Sequence, residues 1–177
     1  MASKKLLIVV DYQRDFVDGS LGFAGAEKLE QPICDKICGY TAAGDDVIFT
    51  MDTHEQKYLL TNEGKPLPVK HCIKGTPGWQ LYGKVADLAA GRTLIEKPTF
   101  GSVALAEWLN GKHYSVIELC GLVSSICVIS NAVIAKAASP ESEIVVDARC
   151  TAGPDEMLHR EALDIMKNLH VQVVNDL

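Results

Sequence analysis

The chain has 177 residues, a formal net charge of −6, and a composition of 47% hydrophobic and 23% charged residues. This length and mixture are typical of one folded globular domain, so we expect a single domain over residues 1–177. The composition excludes disordered and fibrous chains. The acidic balance excludes the diffuse cationic surface that binds nucleic-acid phosphates, so nucleic acid is not an expected partner.

Six cysteines occur, but a chain of this size does not need disulfides for its stability. The first apolar run, residues 6–10, is too short for the apolar segment of a secretory leader. Residues 116–138 resemble a membrane span, yet charged and polar residues and Gly121 interrupt them. We therefore expect a reduced, cytoplasmic protein that is not anchored in a membrane, in which this stretch is a buried strand followed by a buried helix.

Short runs rich in β-branched residues alternate with helical patterns along the chain, which is typical of βαβ units. Helices over residues 27–42 and after Pro154 place apolar residues three and four apart on one face. The strand runs are apolar without alternation, so both faces of each strand should be covered. These patterns predict a three-layer, Rossmann-like α/β fold with a mostly parallel six-stranded sheet and helices on both faces. The predicted strands are Leu6–Val10, Val47–Met51, Thr93–Ile95, Ser115–Leu119, Glu143–Val146 and Val171–Val174.

Between residues 52 and 76 the periodicity lapses, and glycines and prolines recur. Long irregular loops in compact domains are usually functional or disordered. This loop directly follows a predicted strand and contains two of the five histidines. We therefore expect it to carry function.

Three side chains that can take part in catalysis lie where predicted strands end or the next helix begins: Asp11, Lys97 and Cys127. Each has a structural explanation on its own: a turn cap, a solvated charge and a small buried apolar residue. The carboxyl ends of parallel strands meet at one edge of the sheet, so together they could form a cysteine nucleophile with its activators. A helix N-terminus and a nearby cation lower a thiol pKa, and a carboxylate can take the proton. Small residues after Gly121 could aim backbone N–H groups at an oxyanion, as acyl transfer requires.

Six short segments occur in a specific order along the chain: VVDYQRDF at 9–16, DTH at 52–54, HCIKGTPG at 71–78, the Lys97 segment, GLVSSICV at 121–128 and VVDARCTAG at 145–153. In this order they resemble the cysteine hydrolases of the isochorismatase-like superfamily, and among them the nicotinamidases, over nearly the whole chain. The resemblance implies that Asp11, Lys97 and Cys127 are the catalytic triad. It also implies a non-proline cis peptide between Leu122 and Val123, and an oxyanion hole formed by the N–H groups of Val123 and Cys127.

Asp52, His54 and His71 offer one carboxylate and two imidazoles, a ligand set that suits zinc, iron or manganese. A DxH motif alone is weak support, since a turn aspartate beside a surface histidine has the same pattern. The resemblance to nicotinamidases implies that these three residues bind one divalent transition metal, with zinc as the first choice. It also implies Glu63 as a fourth ligand, with Glu55 as the weaker alternative and water as another.

The resemblance further implies a substrate pocket with Phe16 as one wall. Trp79, Phe100 and Tyr82 are additional candidates for its aromatic lining. Several nicotinamidases have an aromatic residue three positions before the second metal histidine, where this chain has Pro68. That departure leaves the ring preference open and does not affect the triad.

The resemblance therefore implies an amide hydrolase that converts nicotinamide to nicotinate and ammonia through a cysteine thioester, with a small amide as substrate and a homo-oligomeric assembly. One alternative is another isochorismatase-like hydrolase, which acts on a different amide, a carbamoyl compound or a vinyl ether. A non-catalytic relative that binds a small molecule or a protein is a further alternative. Cys34 and Cys38 are expected to be core residues, and His113, His159 and His170 have no partner in a motif.

Overall fold

A computed structural model describes residues 4–176, which are built around a six-stranded sheet. The order across the sheet is β3-β2-β1-β4-β5-β6, and each neighbouring pair is parallel. The predicted α/β class with a Rossmann-like sheet is confirmed. The strands are β1 (Lys5–Val10), β2 (Asp46–Asp52), β3 (Thr93–Lys97), β4 (Val116–Leu122), β5 (Glu143–Ala152) and β6 (Gln172–Val174).

Helices cover both faces of this sheet. Helices α2 and α3 pack on one face, and α4, α5 and α6 pack on the other. No helix within residues 4–176 is long and apolar enough to cross a membrane. The helices are α1 (Arg14–Val17), α2 (Glu30–Ala43), α3 (Gly83–Leu88), α4 (Val103–Leu109), α5 (Ile129–Ala138) and α6 (Glu156–Asn168).

Strand β1 supplies side chains to both cores, because successive residues of a strand point to opposite faces. Leu7 and Val9 join the core under α2 and α3, whereas Leu6, Ile8 and Val10 join the core under α4, α5 and α6. All five are fully buried. Each such side chain contributes about 1.5–3 kcal/mol when buried, so one central strand holds both helical layers.

The boundaries of several elements differ from their predicted positions. Strand β3 includes Lys97, which was expected to follow the strand, and β5 continues to Ala152 beyond a register shift against β4. The helix predicted over residues 27–42 is divided into a 3-10 turn (Ala26–Leu29) and α2. Helix α2 tolerates Pro32 because a proline in the first turn has no intrahelical N–H bond to lose.

The central pair β1 and β4 marks the point where the strand order reverses. Gly121 of β4 has φ +110°, and a Cβ there would lie 2.0 Å from the carbonyl oxygen of Val10. Only glycine therefore allows β4 to approach β1 this closely. In open α/β sheets, ligands bind in the crevice beyond the carboxyl ends of the strands at such a reversal.

Candidate active site

Asp11, Lys97 and Cys127 meet in this crevice. Asp11 follows β1, Lys97 ends β3, and Cys127 lies in a π-helical turn (Ser124–Val128) between β4 and α5. The Lys97 Nζ atom lies 2.6 Å from Oδ2 of Asp11 and 3.6 Å from Sγ of Cys127. The three residues are 0%, 1% and 5% exposed. The ion pair and the thiol therefore share a site that is nearly closed to bulk water.

Asp11 is held in place by strand β2. Its φ of 46° lies in the left-handed region, which non-glycine residues seldom adopt. The Asp11 N–H donates to the carbonyl of Thr50 at 3.2 Å, and the Thr50 hydroxyl donates to Oδ1 of Asp11 at 2.7 Å. Thr50 thus orients both the backbone and the carboxylate, and Oδ2 is left to face Lys97.

Burial has the largest effect on the pKa of the Cys127 thiol. Burial raises this pKa, and the Asp11 carboxylate raises it further, against the lowering effect of Lys97. Burial would lower the pKa of Lys97, but the charge of Asp11 raises it above its usual range. The expectation that the thiol pKa is lowered is therefore wrong, because desolvation penalises the thiolate more than one cation stabilises it. A raised thiol pKa favours the protonated form of Cys127.

The turn that carries Cys127 begins at an unusual peptide bond. The bond between Leu122 and Val123 is cis. The Val123 carbonyl accepts hydrogen bonds from the N–H groups of Ile126 at 3.2 Å and Val128 at 3.1 Å, which closes the turn. Val123 and Cys127 both line the same cavity. Their positions are compatible with the predicted oxyanion hole.

Asp52, His54 and His71 form a buried cluster beside the triad. One ligand atom from each lies within 4.8 Å of the others. The Nε2 atoms of His54 and His71 lie 3.0 Å and 3.4 Å from Oδ2 of Asp52. Although Nε2 of His54 lies this close to Asp52, the angle of approach allows it no hydrogen bond with any described residue. A buried imidazole nitrogen without a partner is costly, and one carboxylate with two imidazoles is a donor set that fits a divalent transition metal.

Glu63 lies close enough to complete this cluster. Its Oε1 atom is 3.4 Å from Nε2 of His54 and 3.9 Å from Nε2 of His71. The Thr99 hydroxyl donates to the other carboxylate oxygen at 3.0 Å. Glu55 is exposed, and no ion pair joins it to His54 or His71 among the described residues, whereas Glu63 lies close to both. The geometry therefore favours Glu63 over Glu55 as a fourth ligand.

Two contacts that sequence reasoning missed orient the histidines. The Nδ1 atom of His71 lies 2.8 Å from the carbonyl oxygen of Val69; this carbonyl can only accept, so Nδ1 carries the proton and Nε2 is free to bind a metal. The Tyr58 ring lies 4.6 Å from the ring of His54 and 4.9 Å from that of His71, centroid to centroid. Tyr58 is fully buried. A lone large aromatic residue inside an irregular loop was the only sequence signal for this packing.

A cavity of about 240 Å³ is lined by Cys127 and by Asp52 and His71 of the buried cluster. Phe16 lies on its wall with its ring centroid 5.7 Å from that of His71, and Phe100 also lines it. Most of the lining is apolar, and the loop contributes Leu67 beside Pro68 rather than an aromatic residue. The lining residues include Phe16, Asp52, Leu67, His71, Phe100, Val123, Ile126, Cys127 and Leu158.

Trp79 is not among the described residues that line this cavity, so its place in the substrate pocket stays a prediction. Its indole N–H donates to the Thr53 hydroxyl at 2.9 Å, and its ring packs against the core under α2. Tyr82 packs edge-on against Tyr12, with 5.9 Å between the ring centroids.

Two further expectations are corrected. Cys38 is exposed rather than part of the core, whereas Cys34 is buried. His159 has a partner after all: its Nδ1 atom lies 2.8 Å from Oγ of Ser124, which is fully buried. This contact joins α6 to the turn that carries Cys127.

Comparison with known proteins identifies the family. Residues 5–176 match the family model described as Isochorismatase domain. The chain belongs to the isochorismatase family, and the resemblance inferred from the motifs is confirmed. The sequence is 31% identical over 178 residues to an uncharacterized isochorismatase family protein, PncA, of Bacillus subtilis, and the match covers 93% of this chain and 95% of that protein.

Solved structures of nicotinamidases and pyrazinamidases share the fold. The crystal structure of nicotinamidase PncA from Bacillus subtilis matches with a TM-score of 0.84 and 29% identity, over 96% of this chain and 98% of that chain. The pyrazinamidase of Pyrococcus horikoshii in complex with zinc matches with a TM-score of 0.84 and 25% identity, over 97% and 98% of the two chains.

Proposed function

We propose that the protein is a metal-dependent nicotinamidase that hydrolyses nicotinamide to nicotinate and ammonia. One observation carries this proposal: the cysteine triad and the Asp–His–His cluster open into the same apolar cavity. Cys127, Asp52 and His71 all line that cavity. A flat ring can therefore contact the cluster while its carboxamide carbon faces the thiol. The similarity to a nicotinamidase and to a zinc-bound pyrazinamidase supports the same class of substrate.

Asp11 acts as the general base. Its carboxylate takes the thiol proton as the sulfur of Cys127 attacks the amide carbon, since the resting thiol is protonated. Lys97 lies 2.6 Å from the carboxylate and 3.6 Å from the sulfur. Its positive charge holds the two groups together and stabilises the negative charge that passes between them.

The rest of the reaction returns each group to its starting state. The N–H groups of Val123 and Cys127 bind the oxyanion of the tetrahedral intermediate. Asp11 gives its proton to the departing nitrogen, so that ammonia leaves and a thioester remains. Asp11 then takes a proton from water, the hydroxide attacks the thioester, and nicotinate leaves as the sulfur of Cys127 regains its proton.

The substrate ring is held by the other half of the cavity. Asp52, His54 and His71 would hold the metal, with Glu63 as the fourth ligand. A metal bound there would supply a Lewis acid for water or for the ring nitrogen of the substrate. Phe16 supplies an aromatic surface beside His71, and the apolar lining suits the faces of a flat ring. A different amide is the second candidate substrate, because Leu67 and Pro68 stand where an aromatic residue would stack on the ring.

Ammonia release from nicotinamide by the purified protein tests the proposal. We expect release that depends on bound metal, with about one metal ion per chain, and that is lost after chelation. Metal without ammonia from nicotinamide would overturn the substrate assignment and direct the test to other carboxamides. Neither metal nor ammonia would overturn the whole proposal. The single domain over residues 1–177, the cytoplasmic location and the homo-oligomeric state stay predictions; light scattering on the purified protein tests the last.

A further inference from the structure

The segment after β1 contacts the backbone of both halves of the metal cluster. Gln13 is fully buried. Its Oε1 atom accepts the N–H of Asp52 at 2.7 Å, and its Nε2 atom donates to the carbonyl of Asp52 at 2.9 Å and to that of Trp79 at 2.7 Å. One side-chain amide therefore forms hydrogen bonds with both the backbone N–H and the backbone carbonyl of Asp52.

Asp15 makes the corresponding contact on the other side of the cluster. Its Oδ2 atom accepts the N–H of Cys72, the residue after His71, at 2.7 Å. Cys72 has φ 46°, in the left-handed region, which is unfavourable for a non-glycine residue. The chain adopts this conformation directly after a metal ligand, and the charged acceptor of Asp15 stabilises it. The second carboxylate oxygen accepts the N–H of Ser20 at 3.2 Å.

The backbone at Gly78 leaves space for this carboxylate. A Cβ at Gly78 would lie 2.3 Å from both carboxylate oxygens of Asp15. Any side chain at this position would displace the carboxylate. The position of the Asp15 carboxylate therefore requires glycine at residue 78. This is a second observation, separate from the hydrogen bond to Cys72, that fixes the carboxylate in place.

We propose that Gln13 and Asp15 are positioning residues that hold the metal ligands Asp52 and His71 at the spacing that a divalent metal requires. Groups that orient metal ligands typically change metal affinity about 10- to 100-fold when removed. The segment Asp11–Phe16 then serves both halves of the site, since Asp11 acts on the thiol while Gln13 and Asp15 fix the cluster. This inference rests on the metal site of the proposed function, and not on its substrate.

Zinc affinity of the apoprotein tests this role without any substrate. The apoprotein is titrated with Zn²⁺ in competition with a chromogenic chelator, for the wild type, three test variants and one control variant. For Asp15→Ala and Gly78→Ala we expect binding about 10- to 100-fold weaker. Asp15→Asn keeps an oxygen for the N–H of Cys72, so we expect affinity close to that of the wild type. Asp18→Ala is the matched control, because Asp18 is an exposed carboxylate that pairs only with Arg14 among the described residues.

Cobalt spectra separate positioning from general loss of structure. Co²⁺ replaces Zn²⁺, and its ligand-field absorption reports the coordination geometry. We expect this band to change in Asp15→Ala and Gly78→Ala while their apo circular dichroism and thermal midpoints stay near those of the wild type. Gln13→Met, which keeps the side-chain length but loses all three hydrogen bonds, should show the same change.

Three outcomes would overturn the proposal. The first is a folded Asp15→Ala variant with wild-type zinc affinity and cobalt spectrum; the second is a Gly78→Ala variant that keeps both properties. The third is a wild type that binds no Zn²⁺. A wild type that binds Zn²⁺ but releases no ammonia from nicotinamide overturns the proposed substrate alone, and leaves the positioning role of these residues intact.

Discussion

The ammonium group of Lys97 lies 3.3 Å from Oδ1 of Asp52. The two residues are register partners at the ends of β3 and β2. The same ammonium group lies 2.6 Å from Asp11 and donates to the carbonyl of Thr99 at 3.0 Å. One buried cation therefore neutralises the carboxylates of both the triad and the metal cluster, and it joins the two halves of the site.

Replacing Lys97 with methionine tests this double role. Asp11 and Asp52 would then share a buried site without the cation that compensates them. Removal of one member of a buried ion pair costs about 3–5 kcal/mol of unfolding free energy, and we expect turnover to fall by about 100- to 10,000-fold. Urea unfolding and ammonia release measure the two effects.

The control for this variant is the same substitution at Lys74. Lys74 pairs with Glu96 at 2.5 Å, but both side chains are exposed, at 51% and 41%. An exposed ion pair contributes at most about 1 kcal/mol, so Lys74→Met should retain stability and activity. Equal effects of the two variants would contradict the role given to Lys97.

Replacing Cys127 with alanine separates chemistry from metal binding. The sulfur is the proposed nucleophile, and Cys127 does not belong to the group that could hold a metal. We expect Cys127→Ala to abolish ammonia release while its metal content, measured by mass spectrometry, equals that of the wild type. Cys38→Ala is the control because this thiol is exposed and distant in sequence from the triad. An active Cys127→Ala enzyme would contradict the thioester mechanism.

Addition of zinc to the apoprotein should raise its thermal midpoint. A ligand that binds only the folded state stabilises it by about 2.7 kcal/mol at a free concentration of 100 times its dissociation constant. The shift should disappear in His71→Ala, which removes one candidate ligand, and persist in His113→Ala, which removes an exposed histidine. A shift of equal size in His71→Ala would show that zinc binds elsewhere.

Much of the site could be predicted because it follows from the sheet. Unbroken apolar runs identify parallel strands, and the ends of such strands meet, so Asp11 and Lys97 were expected to converge before any coordinates were known. The thiol pKa of Cys127 was predicted with the wrong sign. Desolvation depends on how completely the folded chain covers the sulfur, and the spacing of residues in sequence does not contain that quantity.

Contacts between side chains and backbone groups distant in sequence also could not be predicted. Gln13 and Asp15 belong to a recognised motif, but their partners lie in the irregular loop, where no periodicity predicts position. Trp79 was assigned to the pocket from its residue type alone. Its partly buried indole N–H donates to the hydroxyl of Thr53, a contact that the sequence does not predict.

A second ion network, away from the cavity, makes stability depend on pH. Lys36 of α2 lies 2.6 Å from Oε1 of Glu118 on β4 and 2.9 Å from Oδ2 of Asp147 on β5. The Tyr40 hydroxyl donates to the other oxygen of Glu118 at 2.6 Å. Burial would raise the pKa of Asp147, but its hydrogen bonds, that from Lys36 foremost, lower it below its usual value.

A carboxylate with a lowered folded-state pKa stabilises the protein above its unfolded pKa, about 3.9, and loses that effect as the pH falls through the folded pKa. We expect Asp147→Asn to cost about 1–3 kcal/mol at pH 7. The difference from the wild type should begin to shrink below about pH 4, where the unfolded wild type takes up a proton, and it should disappear once the folded carboxylate is also protonated, at a lower pH. Urea unfolding between pH 3 and pH 7 measures it. Glu143→Gln, at an exposed position of the same strand, is the control, and a gap that stays constant with pH would contradict the prediction.

The bond between Ser124 and His159 should affect turnover more than substrate binding. It joins α6 to the turn that carries Cys127 and the proposed oxyanion N–H groups, at 2.8 Å. Loss of one hydrogen bond is worth about 1 kcal/mol, so we expect His159→Ala to lower kcat by about five- to tenfold with little change in KM. His159→Asn places an amide group near the position of Nδ1, so its kcat should be close to that of the wild type. His170→Ala is the control, and its kcat should not decrease. Because Ser124→Ala removes the same bond, the double variant should be no slower than either single variant; additive losses in kcat would show that the two residues act separately.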